Sequence, residues 1–185
     1  MHSRTYLDET MEIAEAIDAS RIEALAAELD SLRARKGTLW IVGLGGSAAN
    51  ASHAASDFQR LCHINARSVT DNTAFFTAAA NDEGWSSALS LPNPQYGDAI
   101  LVFSVGGGTE DVSTPITMLL RNSQGLALFG IVGRDGGETA RRSQCCIIIP
   151  NLYPERVTPH TEAFHLVILH CLVSHPILQR KATKW

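Results

Sequence analysis

The sequence has 185 residues, of which 45% are hydrophobic and 18% are charged, and its formal net charge is -4. This length and balance are typical of one globular domain with a sizeable core. The negative net charge and the lack of a basic run argue against nucleic acid and anionic membrane surfaces as partners. With no signal peptide and no apolar stretch long enough to span a bilayer, we expect a cytoplasmic protein with reduced cysteines.

The chain begins with an amphipathic segment at residues 8–35, in which apolar residues recur at helical spacing among acids and arginines. Ser20 is a point at which this segment could divide into two helices. Two interpretations are open, because the segment could cover the domain's own core or another subunit. We assign residues 1–36 to a helical extension for oligomerisation, 37–178 to the main domain and 179–185 to a loose tail.

An apolar run at residues 39–42 predicts a buried strand, and a glycine-rich turn and an alanine-rich helix follow it. Gly45 and Gly46 allow the backbone to approach a ligand closely, and Ser47 is a candidate N-cap. Because the unpaired N–H groups at a helix start favour an anion, the turn is a candidate phosphate cradle.

Four further apolar runs predict strands at residues 67–70, 99–103, 126–132 and 145–149. Helical segments separate these runs, which is typical of a parallel sheet with helices on both faces. We therefore predict a three-layer α/β sandwich with a five-stranded parallel sheet. Ligands of such sheets bind outside the carboxyl ends of the strands, where the glycine turn lies.

A second glycine loop follows the predicted strand at residues 99–103. Ser104 and Thr109 provide hydroxyl groups, and three glycines between them expose backbone N–H groups. Alone, this run would be more typical of a flexible turn, but two anion-receptive loops in one small sheet indicate a ligand site. Asn81 and Asp82 precede a glycine and are either turn residues or ligands of sugar hydroxyls.

Histidine and carboxylate side chains occur together on two predicted helices. His53 and Asp57 are four residues apart and therefore project from one helix face. Glu162 and His170 fall on one side of the last helix, and His165 lies further round it. A lone histidine on such a face is most often a core residue. Because a carboxylate shares the face on both helices, we favour a functional interpretation.

The first glycine loop also matches a dinucleotide-binding fingerprint, with Gly43, Gly45 and Ala48 at its three small-residue positions. Asp71 would then be the ribose-binding acid, but it lies further along than the usual spacing of roughly 20 residues. This interpretation leaves the second loop and the two histidine–carboxylate helices unexplained. We therefore rank an NAD-dependent enzyme third among the candidate functions.

In their order along the chain, these motifs resemble a sugar isomerase (SIS) domain, and specifically the phosphoheptose isomerases. The motifs are Gly43 to Ser47 with His53 and Asp57, Asn81-Asp82, Ser104 to Thr109, Arg134 to Gly137, and the helix with Glu162 and His170. The resemblance implies a flavodoxin-like SIS fold and conversion of sedoheptulose 7-phosphate to D-glycero-D-manno-heptose 7-phosphate through an enediol. It also implies a homotetramer with active sites at subunit interfaces.

The resemblance also implies roles for individual residues. It assigns binding of the sugar and its phosphate to Gly45, Gly46, Ser47, Asn81, Asp82, Ser104 and Thr109. It assigns a catalytic cluster that often binds zinc to His53, Asp57, Glu162 and His170. Within this cluster we assign proton exchange with the sugar oxygens to His170, and proton transfer at carbon to Asp57 or Glu162. If both carboxylates bind zinc, neither is a free base, and the sequence leaves these cases open.

Several positions depart from the family pattern. Leu44 stands where asparagine is usual, and Asp57 and Glu162 replace a glutamate and a glutamine. The Asp57 carboxylate is therefore retracted by about 1.5 Å, one carbon–carbon bond. Val105 and Gly106 stand where the phosphate loop usually has hydroxyl residues. These departures indicate a divergent subgroup, for which another phosphosugar and a non-catalytic sugar-phosphate-binding domain are the alternatives.

Overall fold

The computed structural model describes residues 1–181, and a five-stranded sheet forms its centre. The strands are β1 Thr38–Val42, β2 Asn65–Ser68, β3 Ala99–Ser104, β4 Ala127–Val132 and β5 Cys145–Ile148. All neighbouring strands are parallel, and their order across the sheet is β2-β1-β3-β4-β5. This is the flavodoxin-like order, in which the chain changes direction between β1 and β3.

Seven α-helices lie within the described residues. They are α1 His2–Ala16, α2 Ala19–Ala34, α3 Gly46–Cys62, α4 Thr73–Ala78, α5 Pro115–Asn122, α6 Gly137–Arg142 and α7 Val157–Val173. None of the helices within residues 1–181 has both the length and the apolar character needed to cross a membrane.

Strand β1 shows why the apolar runs form the sheet. Leu39 and Ile41 point into an apolar cluster that includes residues of α2, α3 and α7. Trp40 and Val42 point the other way, into a cluster that includes residues of α5. Because helices cover both faces, such a strand has to be apolar throughout. The three-layer α/β sandwich is therefore confirmed.

Four of the five strands lie within one residue of their predicted bounds, and the second does not. The predicted strand at residues 67–70 is wrong in its bounds, because β2 is Asn65–Ser68 and residues 69–71 form a 3-10 turn. This edge strand pairs with β1 alone, and the pairing ends at Ser68, where the chain turns.

The N-terminal segment forms two helices, and the break lies before Ser20, not at it. The Asp18 carboxylate accepts the backbone N–H of Ser20 at 3.0 Å and thereby caps α2. The α2 residues buried in the main core are Leu25, Ala26, Leu29 and Leu32. The segment at residues 1–36 therefore contributes to the core of the domain, and its role in oligomerisation stays a prediction.

The predicted tail at residues 179–185 is described in part. The backbone N–H groups of Arg180 and Lys181 both donate to the carbonyl of Leu61, at 2.7 and 3.2 Å. The start of this segment is therefore attached to the end of α3. Residues 182–185 of the predicted tail lie outside the described residues.

Candidate active site

The first glycine loop connects β1 to α3 at the carboxyl edge of the sheet. Gly45 has φ +61° and ψ -129°, a conformation that side chains disfavour, and it is the N-cap of α3. The prediction of Ser47 as the N-cap is wrong, because the N-cap is Gly45, two residues earlier, and Ser47 lies buried within the helix. The loop sits beside the point at which the strand order changes direction, where ligands of this fold bind.

The carboxylate of Glu162 lies directly against Gly46. A Cβ atom added to Gly46 would be 2.5 Å from Glu162 Oε2, so only glycine leaves room for this side chain. The position is favourable for an anion, because the N-terminal end of α3 carries unpaired N–H groups and partial positive charge. The helix end that the sequence indicated as a phosphate cradle therefore already faces a carboxylate of the protein.

Helices α3 and α7 pack against each other in parallel, and this packing assembles the cluster. Near the middle of α3, the rings of His53 and His170 have centroids 5.2 Å apart. Near its end, Cys62 Sγ lies 3.9 Å from the carbonyl oxygen of Val173. Residue numbers thus rise together along both helices, as expected for two helices that follow strands of one parallel sheet.

His53, Asp57 and His170 form one compact cluster on these helices. His53 Nε2 lies 3.1 Å from Asp57 Oδ2, as the four-residue spacing predicts. One nitrogen of each histidine and one oxygen of Asp57 all lie within 4.8 Å of one another. The His53 side chain is 43% exposed and that of Asp57 is 10% exposed, so the cluster is open to solvent on one side. Two imidazoles and a carboxylate at this distance can exchange protons with one small group or bind one metal ion.

Glu162 does not belong to this cluster in the described residues. It shares a side of α7 with His170, as the angular spacing predicts. However, the two residues are eight positions apart, which is about 12 Å along a helix. Helical periodicity gives the side on which a residue lies but not the neighbour that it meets at that height. Packing on α3 decides this, and it directs the Glu162 carboxylate to Gly46.

In the second glycine loop, the hydroxyl groups bond within the loop itself. Ser104 Oγ accepts the N–H of Gly107 at 3.0 Å, and Thr109 Oγ1 accepts the N–H of Asp111 at 3.2 Å. The carbonyl of Gly107 accepts both the backbone N–H and the hydroxyl of Thr139, which attaches the loop to α6. The loop is thus a supported turn at the carboxyl end of β3, with Thr109 exposed.

Asn81 and Asp82 lie in a short π-helix, Ala79–Glu83, that follows α4. Both are exposed, and Asn81 Nδ2 donates to Asp82 Oδ1 at 2.7 Å. The two side chains therefore bond to each other. Their assignment to sugar binding stays a prediction.

His165 is a core residue. Its ring is fully buried and stacks on Phe103 of β3, with centroids 4.9 Å apart. Burial lowers the pKa of His165 to about 4, and the Ile131 backbone partly offsets this effect. This imidazole is therefore neutral at pH 7. A lone histidine on an apolar helix face is most often of this kind.

Asn50, which no motif in the sequence singled out, contacts two residues of α7. Its Nδ2 donates to the backbone carbonyl of Glu162 at 2.8 Å and lies 3.5 Å from Nδ1 of His165. Asn50 is four residues after Gly46 and three before His53, so helical spacing could have placed it on the same face of α3.

A second histidine–carboxylate pair was also missed. Glu9 of α1 lies 2.9 Å from Nε2 of His160 on α7 and accepts two hydrogen bonds from Arg156. Tyr6 stacks on the His160 ring with centroids 4.4 Å apart. Hydrogen bonds from Arg156 and His160 hold the pKa of Glu9 well below its usual range, at about 2. Nothing local in the sequence indicates this contact, because Glu9 and His160 are 151 positions apart.

Several of the known proteins that this chain resembles are named phosphoheptose isomerases. No protein-family model matches the sequence. The phosphoheptose isomerase of Trichlorobacter lovleyi is 30% identical over 146 residues, which cover 72% of this chain and 69% of that protein. The phosphoheptose isomerase of Aneurinibacillus thermoaerophilus is 26% identical over 194 aligned residues, covering 96% and 95%. The structure of a phosphoheptose isomerase from Neisseria gonorrhoeae matches with a TM-score of 0.77 at 21% identity, covering 93% and 96%.

Proposed function

This chain belongs to the phosphoheptose isomerase family of sugar isomerase domains, and from this premise we propose that it is an aldose–ketose isomerase acting on a sugar phosphate. The substrate that we propose is sedoheptulose 7-phosphate, and the product is D-glycero-D-manno-heptose 7-phosphate. The observation that carries the proposal is the compact cluster of His53, Asp57 and His170 on the packed helices α3 and α7.

The reaction needs a base at carbon and an acid at oxygen that reach two adjacent carbon atoms. Asp57 and His170 meet this condition, because their oxygen and nitrogen atoms lie within 4.8 Å of each other. Glu162 does not, because it lies outside the cluster, eight residues before His170 on α7, and its carboxylate lies against Gly46. Of the two carboxylates that the sequence left open, we therefore propose Asp57 as the base.

Asp57 and His170 together supply and recover every proton that the reaction moves. Asp57 removes a proton from C1, the C1–C2 double bond forms, and protonated His170 gives a proton to the carbonyl oxygen on C2. The resulting enediol then gives the proton of its C1 hydroxyl to His170 and takes a proton from Asp57 at C2. This forms the C1 aldehyde and restores both side chains. His53, 3.1 Å from Asp57, orients the carboxylate.

The remaining predicted residues would bind the rest of the sugar. The Glu162 carboxylate would accept hydrogen bonds from sugar hydroxyls beside the first glycine loop, where it lies against Gly46. The loop at Ser104 and Thr109 would bind the phosphate through its hydroxyl and N–H groups. The full set that we propose for substrate binding is Gly45, Gly46, Ser47, Asn81, Asp82, Ser104, Thr109 and Glu162.

The cluster also has the chemistry of a zinc site. Two imidazoles and one carboxylate are a donor set of catalytic zinc sites, in which three protein ligands leave one position open. We propose that His53, Asp57 and His170 hold the ion. When bound, zinc would polarise the sugar carbonyl. An imidazolium has no free nitrogen lone pair, so His170 would not hold the ion while it carries the proton that it transfers, and the proton steps above apply to the cluster without metal.

Two features support the assembly that the resemblance implies and the cytoplasmic location that the sequence predicts. His53 and His170 are exposed in a single chain, so a second copy would be needed to shield the reacting sugar from water. This supports a homotetramer with active sites at subunit interfaces. The cysteines at positions 62, 145, 146 and 171 are all free thiols, which suits the reducing cytoplasm.

The direct test follows the proton. Purified protein is incubated with sedoheptulose 7-phosphate in deuterated water, with and without zinc, and product is followed by proton NMR. We expect conversion with deuterium on the carbon that receives the transferred proton, and faster conversion with zinc. If the phosphosugar binds but neither turnover nor exchange occurs, the isomerase proposal is wrong and the chain is a binding domain.

A further inference from the structure

We propose that Asn50 is a positioning residue, which holds α7 at the height on α3 that places the Glu162 carboxylate on the first glycine loop. This inference rests on the proposed function, because it concerns a residue that we assign to sugar binding. Asn50 itself lies outside the cluster of His53, Asp57 and His170.

The contact is made to the backbone of Glu162 itself. Asn50 Nδ2 donates to that carbonyl oxygen at 2.8 Å, across the interface of the two helices. Inside a helix this carbonyl already accepts the N–H four residues further on, but an amide carbonyl has a second lone pair. The hydrogen bond therefore adds a direct link between α3 and the residue whose side chain has to be placed.

A second constraint acts on the side-chain carboxylate of Glu162. The missing side chain of Gly46 leaves the space in which the Glu162 carboxylate lies, since a Cβ there would be 2.5 Å from Glu162 Oε2. Asn50 is one helical turn after Gly46 on α3. It therefore binds the Glu162 backbone about one turn of α3 away from the Glu162 carboxylate. Together, the two α3 positions determine the direction in which Glu162 extends.

His165 lies beside the Asn50 amide, and its tautomer with an unprotonated Nδ1 would accept a hydrogen bond from Asn50 Nδ2. Its Nδ1 lies 3.5 Å from Asn50 Nδ2, and its ring is held by stacking on Phe103. Because buried His165 is neutral at pH 7, it has one unprotonated nitrogen that can face an N–H group. If the amide turned over, its oxygen would face the carbonyl oxygen of Glu162 instead, which is unfavourable.

The first part of the test changes the amide with little change in shape. Asn50→Asp replaces the N–H donor with an oxygen that repels the Glu162 carbonyl, and Asn50→Ala removes the group. We expect kcat/KM to fall on the order of tenfold in both variants, because small displacements of substrate-positioning groups reduce rates strongly. The matched control is Asn65→Ala, since Asn65 Nδ2 donates to Thr38 Oγ1 at 2.9 Å, at the edge strand. It should retain wild-type kcat/KM.

The second part tests whether Asn50 acts through Glu162. In a Glu162→Ala background, Asn50→Asp should cause no further loss of kcat/KM, because the group that it positions is gone. Losses that multiply in the double variant would overturn the inference. Wild-type kcat/KM in the single variants Asn50→Asp and Asn50→Ala would also overturn it.

Crystal structures of the wild type and of Asn50→Asp separate this inference from the proposed function. We expect the Glu162 carboxylate to lie on Gly46 in the wild type and to leave it in the variant. If the wild type does not convert sedoheptulose 7-phosphate, the proposed function fails, and the two structures still decide the role of Asn50. An unmoved Glu162 in the variant would show that Asn50 does not position it.

Discussion

His53 and Asp57 lie 3.1 Å apart, and His160 and Glu9 lie 2.9 Å apart, yet the surroundings of the two pairs differ. The first pair is on the open side of the α3–α7 interface, with the His53 side chain 43% exposed. In the second, both side chains are at most 4% exposed, and Arg156 adds two hydrogen bonds to Glu9.

The difference shows that water access and the third partner decide what a histidine–carboxylate pair does. Glu9 is fully occupied by Arg156 and His160, so it joins α1 to the start of α7 and offers nothing to a ligand. The Asp57 pair has His170 as its third partner, a group that can itself exchange protons or bind a metal. The pair of Glu9 and His160 is therefore structural, and the pair of His53 and Asp57 is suited to chemistry.

Loss of the Asp57 carboxylate should have the largest effect. We expect Asp57→Asn to lower kcat by roughly 10² to 10⁴, the contribution usual for a general base. Glu9→Gln is the matched control, and below its melting temperature it should keep a kcat close to that of the wild type. The measurement is turnover of sedoheptulose 7-phosphate. Equal losses in both variants would show that the two pairs do not differ in role.

Zinc binding should separate the histidines of the two pairs. We expect His53→Gln to abolish tight zinc uptake, because it removes one of three ligands, whereas His160→Gln should keep it. Zinc is measured by competition with a colorimetric chelator, which does not depend on turnover. If the His53→Gln variant still bound zinc tightly, the proposed zinc site would be wrong.

His165, a buried histidine with no carboxylate beside it among residues 1–181, should make the stability of the fold depend on pH. The pKa of His165 is lowered from 6.5 to about 4 in the folded state, so below pH 6.5 the unfolded chain binds a proton that the folded chain does not. Stability present at neutral pH should therefore be lost as the pH falls from 6.5 to 4, by about 3 kcal/mol. Urea unfolding at several pH values should show a smaller loss in His165→Phe. An unchanged loss would contradict the assignment.

Loss of the Glu9 charge should have the smallest effect, because glutamine can still accept hydrogen bonds. We expect Glu9→Gln to lower the melting temperature at pH 7 by several degrees. The pKa of Glu9 is lowered from 4.5 to about 2, so the stability from its charge is present above pH 4.5 and is lost as the pH falls towards 2. Calorimetry across this range should show a weaker acid dependence in the variant. Identical acid unfolding of both proteins would indicate that Glu9 is not held in this way.

Local patterns predicted the parts of the site that a single element builds. The strand before Gly45 and the pairing of His53 with Asp57 each depend on residues close in the sequence, so periodicity was enough to find them. The start of α3 was misplaced by two residues, because Ser47 is a residue type favoured at N-caps, while Gly45 has the backbone conformation of one. Composition alone does not determine φ and ψ.

Patterns within the sequence were enough to predict the succession of strands along the chain, the two glycine loops and the sides of α3 and α7 that carry polar residues. These features follow from spacing within each element, and they were sufficient to indicate the family. The contacts between elements, namely Glu162 with Gly46, Asn50 with Glu162, and Glu9 with His160, became visible in the folded chain. The reason is that the height of one helix against another depends on packing of the whole core, which no local pattern records.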